Sequence, residues 1–170
     1  MTIDDRPYRR NVGIALFNRE GLVLIARRLR DDGPEIILPG HEWQMPQGGV
    51  DTGEDTLAAA RRELWEETAV VNAEPLGETQ TWLSYEFPPY HGPWHRLCAF
   101  RGQCQRWHAF RFTGSDNEID VIRGEGGADP EFSAWRWERL DRLALLVVPF
   151  KRAVYEQVAV EFRRLAEPAS

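Results

Sequence analysis

The side chains that usually build disulfides or zinc sites are scarce in this chain. It has two cysteines, Cys98 and Cys104, and four histidines. The cysteines fit no recognisable metal-binding or disulfide spacing, so we expect both to be reduced thiols. The histidines, at positions 41, 91, 95 and 108, are scattered along the chain. Both observations argue against a disulfide framework and against a histidine-based zinc site.

Long apolar segments are also missing. No run approaches the roughly 20 residues that a membrane-spanning helix needs. The start of the chain, MTIDDRPYRR, lacks the apolar segment of a signal peptide. With 42% hydrophobic residues, the 170-residue chain can form a core, and its length suits a single domain over residues 1–170. We therefore expect a cytoplasmic protein without a membrane partner.

Positive charge is limited in amount and unusual in kind. The net charge is -6 and the pI is about 5.3, which disfavours duplex nucleic acid because a long phosphate backbone needs a broad cationic surface. A small anionic ligand or one chain end remains compatible with this balance. Lys151 is the only lysine, and the other basic residues are arginines. Arginine suits bidentate phosphate contacts, although a lineage bias explains the surplus at least as well.

The hydrophobic pattern predicts several strands. We expect a strand pair over 11–18 and 21–29, and further extended segments over 76–87, 103–112 and 131–140. The stretch 115–130 mixes a short strand with a glycine loop. Residues 30–41 interrupt the pattern with charge and turn residues, so we expect an inserted loop that forms a flap at the edge of a cleft rather than part of the core.

Two segments have the periodicity of helices. Asp55 can cap a helix over residues 56–68, where leucine and alanine favour helix formation. From Pro149 onward, apolar residues recur every four positions and predict a helix over 149–165. Several strands with two good helices indicate a mixed α+β domain.

The predicted helix 56–68 gathers acidic residues on one face. Glu63, Glu66 and Glu67 are three and four residues apart, so they lie close together on a helix and repel one another. A hard divalent cation reverses this interaction, and Mg²⁺ prefers oxygen ligands. The alternative is a solvated acidic face paired with Arg61 and Arg62. The pattern therefore indicates either a metal site or an ion-paired surface.

The register of the whole stretch favours the first interpretation. It resembles the Nudix box, G-x5-E-x7-R-E-U-x-E-E-x-G-U, in which U is a bulky aliphatic residue. The matching positions are Gly48, Glu54, Arg62, Glu63, Leu64, Glu66, Glu67 and Val70. Ala69 stands where the family usually has glycine, and a left-handed helix end is costlier for alanine. The resemblance implies an α/β/α sandwich with a mixed sheet and metal-dependent hydrolysis of a nucleoside diphosphate linked to another group.

Segments outside the box resemble one branch of this family, which acts on RNA 5′ ends and dinucleoside polyphosphates. They are YRRNVGIALFN, WQMPQGGV, GQCQRWHAFRF, EFSAWRW and VPFKRAVYEQV. The insert after Arg28 departs from the branch, as do Arg106 and His108, where lysine and phenylalanine are usual. The resemblance covers roughly residues 8–162 and implies a nucleotide polyphosphate or an RNA 5′ end as substrate.

The resemblance also implies roles for individual residues. Glu63, Glu66 and Glu67, with the carbonyl of Gly48, would hold Mg²⁺, with Mn²⁺ as an alternative ion. Glu54 would support them and Arg62 would orient them by ion pairing. Glu131 would bind a metal or accept a proton from the attacking water; the alternative for it is an exposed acid at a strand edge.

Other matching positions are expected to contact the substrate. On an extended segment Gln103, Gln105 and Trp107 share one face, and the resemblance implies that Gln103 and Gln105 line the cleft. The expected phosphate contacts are Arg9, Arg28 and Lys151, with solvated side chains as the alternative. Phe150 would stack on a base, with a place in the core as the alternative.

Three functions remain open at this point. The first is a hydrolase that removes pyrophosphate from triphosphorylated RNA or splits diadenosine polyphosphates. The second is a non-catalytic nucleotide sensor, against which the complete carboxylate set argues. The third is a hydrolase of damaged nucleotides or other nucleoside diphosphate derivatives, against which the segments outside the box argue. The sequence does not indicate the number of metals, the general base or the oligomeric state.

Overall fold

The computed structural model describes residues 3–122 and 129–170. The strands are β1 (Tyr8–Phe17), β2 (Val23–Arg28), β3 (Trp43–Gln44), β4 (Gln47–Gly49), β5 (Ala73–Glu78), β6 (Leu83–Glu86), β7 (Gly102–Phe112) and β8 (Phe132–Glu138). The α-helices are α1 (Thr56–Thr68), α2 (Leu143–Leu146) and α3 (Arg152–Phe162). Short 3₁₀ turns at 149–151 and 163–166 extend α3 at both ends.

The strands form one mixed eight-stranded sheet. Its main path runs β3-β2-β1-β7-β5, while β4 pairs with β1, β6 with β7 and β8 with β2. The long central pair, β1 and β7, is parallel over ten residues, from Tyr8 opposite Gly102 to Phe17 opposite Arg111. All the other pairings are antiparallel. The start of β1 therefore lies between β4, which leads into α1, and β7.

Apolar side chains from both faces of the sheet form two cores. Val12, Ile14 and Leu16 on β1 pack with residues of α1, while Ala15 and Phe17 pack with residues of α3. This alternation follows from the two-residue period of a strand. The sheet therefore lies between α1 and α3, and the predicted α+β class is confirmed.

Most predicted elements are present. The strand pair at 11–18 and 21–29 corresponds to β1 and β2, and the helix at 56–68 corresponds to α1. The extended segment 76–87 is divided between β5 and β6. Residues 123–128 of the predicted glycine loop lie outside the described residues. Within the described ranges, none of the helices is long and apolar enough to cross a membrane.

The inserted loop, residues 30–41, is anchored in the structure. The backbones of Asp32 and Glu35 exchange two hydrogen bonds of 3.1 Å, and Arg28 donates to the carbonyl of Glu35 at 2.7 Å. Pro34 and Glu35 are buried. The segment borders the cleft described below, but the burial of Pro34 and Glu35 shows that the expectation of an insert wholly outside the core is wrong.

Both ends of α1 have the geometry that the sequence indicated. The Asp55 carboxylate accepts a hydrogen bond from the Ala58 amide at 3.1 Å, which satisfies one free amide of the first turn. At the other end, Ala69 has φ 64° and donates its amide to the Trp65 carbonyl. Alanine therefore adopts the left-handed conformation that glycine adopts at much lower cost.

We expect the Ala69→Gly substitution to stabilise the protein by roughly 1 kcal/mol, because it removes the left-handed strain of an L-residue. Urea unfolding at constant m-value measures this change. Ala58→Gly on the exposed face of α1 is the matched control and should lower stability by about 0.5–1 kcal/mol. A loss of stability in both variants would contradict the assignment of strain to Ala69.

Candidate active site

A polar cleft of about 300 Å³ lies where the start of β1 meets β4, α1 and the inserted loop. Its lining contains carboxylates, which we call the carboxylate wall, and arginines and amides, which we call the arginine wall. The lining residues include Arg9, Asn11, Arg28, Arg30, Asp31, Asp32, Glu35, Gln44, Gln47, Glu63, Glu66, Glu67, Arg96, Gln103 and Glu131. Charges of both signs therefore line one space of small-molecule size.

The glycines of β4 allow the helix carboxylates to approach the backbone. A Cβ atom added to Gly48 would lie 2.0 Å from Cδ of Glu63, so any side chain there would displace that carboxylate. The neighbouring Gln47 amide donates to Oε2 of Glu67 at 3.2 Å. The turn between β4 and α1 thus brings two carboxylates of the helix against the strand.

Arg62 holds the acidic cluster together. Its guanidinium binds Glu54 through two hydrogen bonds of 2.9 and 3.0 Å. It also donates to Glu63 at 2.8 Å and to both oxygens of Glu66 at 3.2 Å, and to the Gly49 carbonyl at 2.9 Å. These contacts raise the pKa of Arg62, the Glu54 hydrogen bonds most of all. One cation therefore neutralises part of the repulsion between three carboxylates.

The pKa values of Glu63 and Glu67 show the effects of burial and of the repulsion that remains. Burial, and after it the charge of Glu66, raises the pKa of Glu63 to about 7. Burial and the charges of Glu131 and Glu63 raise the pKa of Glu67 well above its ordinary value. A carboxylate with a raised pKa lacks sufficient positive charge nearby. An additional cation at this place would lower both pKa values.

The donor set fits a hard divalent metal ion. Glu63, Glu66 and Glu67 offer only oxygen atoms, which Mg²⁺ and Mn²⁺ accept. In residues 3–122 and 129–170, no three acidic, histidine or cysteine side chains are already placed as a set of metal ligands. Glu63 and Glu66 are instead ion-paired with Arg62.

The arginine wall includes Arg9 and Arg28. Arg9 donates to Oε1 of Gln103 at 3.2 Å, and burial lowers the pKa of its guanidinium, which nevertheless stays a cation at neutral pH. Arg28 donates to carbonyl groups of the inserted loop, including those of Glu35 and Ile36. Both arginines line the cleft, so the structure brings these two predicted phosphate contacts together.

Lys151 has a different environment from the one expected for a phosphate contact. Its side chain is 1% exposed, and its ammonium group lies 2.6 Å from the Glu35 carboxylate. Burial alone would raise the pKa of Glu35, but Lys151 and hydrogen bonds from Tyr85 and Gln103 lower it below its ordinary value. Lys151 is thus the buried partner of an acid from the inserted loop.

The remaining predicted residues differ in their exposure. Glu131 lines the cleft, and burial followed by the charge of Asp32 raises its pKa. Gln105 is 1% exposed and lies among other buried amides. Phe150 is half-buried, packs against the α3-side core and lies with its ring centroid 5.8 Å from that of Tyr85. Neither Gln105 nor Phe150 borders the cleft directly.

Sequence reasoning missed several residues of this site, including Arg96. Asn11 and Glu35 line the cleft, and Tyr85 donates its hydroxyl proton to Glu35. Glu35 lies in a segment read as a loop, and Tyr85 in a plain extended stretch, so neither carried a recognisable pattern. A signal for Asn11 existed, since a polar residue at the start of the apolar run VGIALF needs a buried partner.

The raised pKa of Glu63 predicts how added Mg²⁺ stabilises the protein. A carboxyl group with a raised folded-state pKa favours folding when protonated, and this contribution is lost as pH rises from its ordinary value of 4.5 through about 7. Mg²⁺ binds the ionised form. We therefore expect a larger increase in melting temperature on adding Mg²⁺ at pH 8 than at pH 6, measured by differential scanning fluorimetry.

Glu63→Gln is the control for that experiment, because glutamine does not titrate. It should reduce the difference between the two pH values. An equal shift at pH 6 and pH 8 in the unsubstituted protein would show that protonation of the cluster does not oppose metal binding.

The buried Glu35–Lys151 pair predicts a large loss of stability when one partner is neutralised. Glu35→Gln should cost about 3 kcal/mol, because it leaves the Lys151 ammonium buried without its counter-ion. Glu42→Gln is the matched control. Its ion pair with Arg27 spans 3.9 Å at the surface, so it should change stability by less than ~1 kcal/mol. Similar losses in both variants, measured by urea unfolding, would contradict the role of burial.

Comparison with known proteins places this cleft in a family. Residues 7–158 match the NUDIX domain. An RNA pyrophosphohydrolase of Azorhizobium caulinodans is 52% identical over 96% of this chain and 97% of its own length. One from a Bradyrhizobium species is 54% identical over 96% of both chains. The crystal structure of a MutT protein from Methanosarcina mazei, 18% identical, shares the fold with a TM-score of 0.62 over 94% of this chain and 98% of its own.

The matched region contains the complete acidic cluster, α1 and the residues that line the cleft. It also contains α3 except for the C-terminal end of that helix. The expected relationship is therefore confirmed by the sequence as a whole as well as by the box. The chain belongs to the NUDIX domain family, whose hydrolases generally use divalent metal ions.

Proposed function

We propose that this protein removes pyrophosphate from the 5′-triphosphate end of RNA in a reaction that uses Mg²⁺. One observation carries the proposal. A cleft with a carboxylate wall and an arginine wall occurs in a chain that is about half identical, along nearly its whole length, to RNA pyrophosphohydrolases. The products are pyrophosphate and RNA with a 5′-monophosphate. Such a substrate also supports a cytoplasmic location.

The arginine wall would bind the triphosphate. Arg9, Arg28 and Arg96 line the cleft, and their guanidinium groups can each donate two hydrogen bonds to phosphate oxygens. Gln103 orients Arg9 through the 3.2 Å hydrogen bond. The cleft is too small for more than a chain end, and the net charge of the protein is -6. Both features favour recognition of a 5′ end over binding along duplex nucleic acid.

The carboxylate wall would hold the metal. Glu63, Glu66 and Glu67 are the proposed ligands with the Gly48 carbonyl, and Glu54 keeps Arg62 in place through its bidentate contact. Mg²⁺, when bound, neutralises charge on the phosphates and makes water more acidic. If Glu63 and Glu66 turned from Arg62 to the metal, Arg62 would keep its two hydrogen bonds to Glu54.

Glu131 would accept the proton of the attacking water. It faces the cleft, and its pKa is raised by burial and by Asp32. A raised pKa makes a carboxylate a stronger base. Arg28 and Arg30 act in the opposite direction and lower that pKa. The alternative role for Glu131 is a further metal ligand.

The decisive experiment compares products from two substrates at matched concentration. Purified protein is incubated with Mg²⁺ and either 5′-triphosphate RNA or diadenosine tetraphosphate. We expect pyrophosphate and 5′-monophosphate RNA to be formed with the higher kcat/KM. A higher value for the dinucleotide would assign the protein to diadenosine polyphosphate hydrolysis instead. Binding of either compound without any product would indicate a sensor.

Glu67→Gln should abolish most turnover while leaving the fold intact. The amide removes a negative metal ligand, but it still accepts the Gln47 hydrogen bond and relieves repulsion in the metal-free protein. Its melting temperature without Mg²⁺ should therefore not fall much. Glu156→Gln, at an exposed position of α3, is the control and should turn over normally. Near-normal activity of Glu67→Gln at saturating Mg²⁺ would falsify the metal assignment.

A further inference from the structure

Asn11 is a buried polar residue at the start of the central strand. It is 1% exposed, lines the cleft and pairs in register with Gln105 on β7. Arg9 is two residues earlier on β1, so both side chains leave the strand on the same face. Arg9 donates a hydrogen bond to Gln103, and Asn11 accepts one from Gln105. Arg9 and Asn11 therefore occupy successive positions on the same face of the β1–β7 pair.

The orientation of the Asn11 amide is fixed by a chain of hydrogen bonds. The Trp107 indole can only donate, and it donates to Oε1 of Gln105 at 3.1 Å. The Gln105 nitrogen must then point the other way, and it donates to Oδ1 of Asn11 at 2.8 Å. Asn11 therefore presents its oxygen to Gln105, and its Nδ2 group is the end of the amide that is left for a further partner.

An independent donor supports this orientation. The Lys151 ammonium, which also can only donate, lies 3.3 Å from Oε1 of Gln47. The same oxygen accepts from the Gln105 nitrogen at 3.3 Å. Reversing the Gln105 amide would bring two oxygens together at this point and two donors together at Trp107. The fixed donors at Trp107 and at Lys151 thus require the same orientation of the Gln105 amide.

The Nδ2 group of Asn11 has no hydrogen-bond partner among the described residues. A buried donor left unpaired is costly, and such groups in folded proteins usually have a partner that a ligand or water supplies. An N–H group cannot coordinate a cation, so Asn11 does not extend the metal site through this atom. Its chemical complement is a hydrogen-bond acceptor, and a charged oxygen makes the stronger bond.

We propose that Asn11 is a substrate-binding residue whose Nδ2 donates a hydrogen bond to a phosphate oxygen of the pyrophosphate group. This assignment rests on the proposed function. It follows from the free donor, from the position next to Arg9 on that face, and from the carboxylates of the cleft, which exclude other anions unless a metal accompanies them. The complex of pyrophosphate with Mg²⁺ meets that condition. Its binding can be measured without any turnover.

The test compares binding of Mg²⁺-pyrophosphate to the unsubstituted protein and to Asn11→Asp by isothermal titration calorimetry at pH 8. Aspartate keeps the shape and the acceptor for Gln105 but replaces the donor with a negative oxygen. We expect affinity to fall about tenfold or more, the size of a lost hydrogen bond to a charged group. Asn117→Asp adds the same charge at an exposed position and should bind normally.

A pH series tests whether ionisation of the introduced group causes the loss of affinity. The introduced carboxyl group can donate once it is protonated, so the affinity of Asn11→Asp relative to the unsubstituted protein should recover as pH falls. A defect that does not depend on this ionisation would leave that ratio constant. Equal affinities of the two proteins at pH 8, or a ratio that does not change with pH, would overturn the assignment.

A measurement on the unsubstituted protein covers the case in which Asn11→Asp does not fold. The side-chain amide resonances of Asn11 are followed by ¹⁵N NMR while Mg²⁺-pyrophosphate is added. A downfield shift of a proton on Nδ2 is expected, and unchanged resonances at saturation would overturn the proposal. If RNA is not hydrolysed but the resonances shift, the proposed function fails and the pyrophosphate contact of Asn11 stands.

Discussion

Repulsion between the carboxylates of α1 is the interaction on which this site depends. Glu63 and Glu67 lie against β4 because Gly48 has no side chain and the Gln47 amide supplies a hydrogen bond. Arg62 offsets part of the repulsion, yet the pKa of Glu63 still rises to about 7. The folded protein therefore keeps a concentration of partly buried negative charge at this place. Under the proposed function, Mg²⁺ would offset that charge.

The parallel pairing of β1 with β7 sets the positions of Arg9 and Asn11. Its register places Arg9 opposite Gln103, Asn11 opposite Gln105 and Gly13 opposite Trp107. The absence of a side chain at Gly13 makes room for the indole, since a Cβ there would lie 2.4 Å from the ring. The indole then fixes the Gln105 amide. A hydrophobic contact in the core thereby sets the direction of polar groups in the cleft.

The inserted loop joins the same network from the other side. Glu35 accepts hydrogen bonds from Gln103 and Tyr85 and pairs with Lys151. Gln103 also contacts Arg9. Two hydrogen bonds, Gln103 to Glu35 and Arg9 to Gln103, therefore connect the loop to the arginine wall. The single lysine of the chain thus stabilises the loop that encloses the cleft. This connection explains why a segment rich in turn residues has an ordered place in the structure.

The sequence by itself determined the elements and the carboxylate wall. The α1 glutamates could be assigned because a helix repeats every 3.6 residues, so spacing alone places them on one face, and the box identified the family. The tertiary structure decided the environments of Lys151, Glu35 and Asn11. Their partners lie on strands and loops up to about a hundred residues away, and burial depends on contacts that no local pattern encodes. Whether a lone lysine meets solvent, substrate or a buried acid is settled only when distant segments pack together.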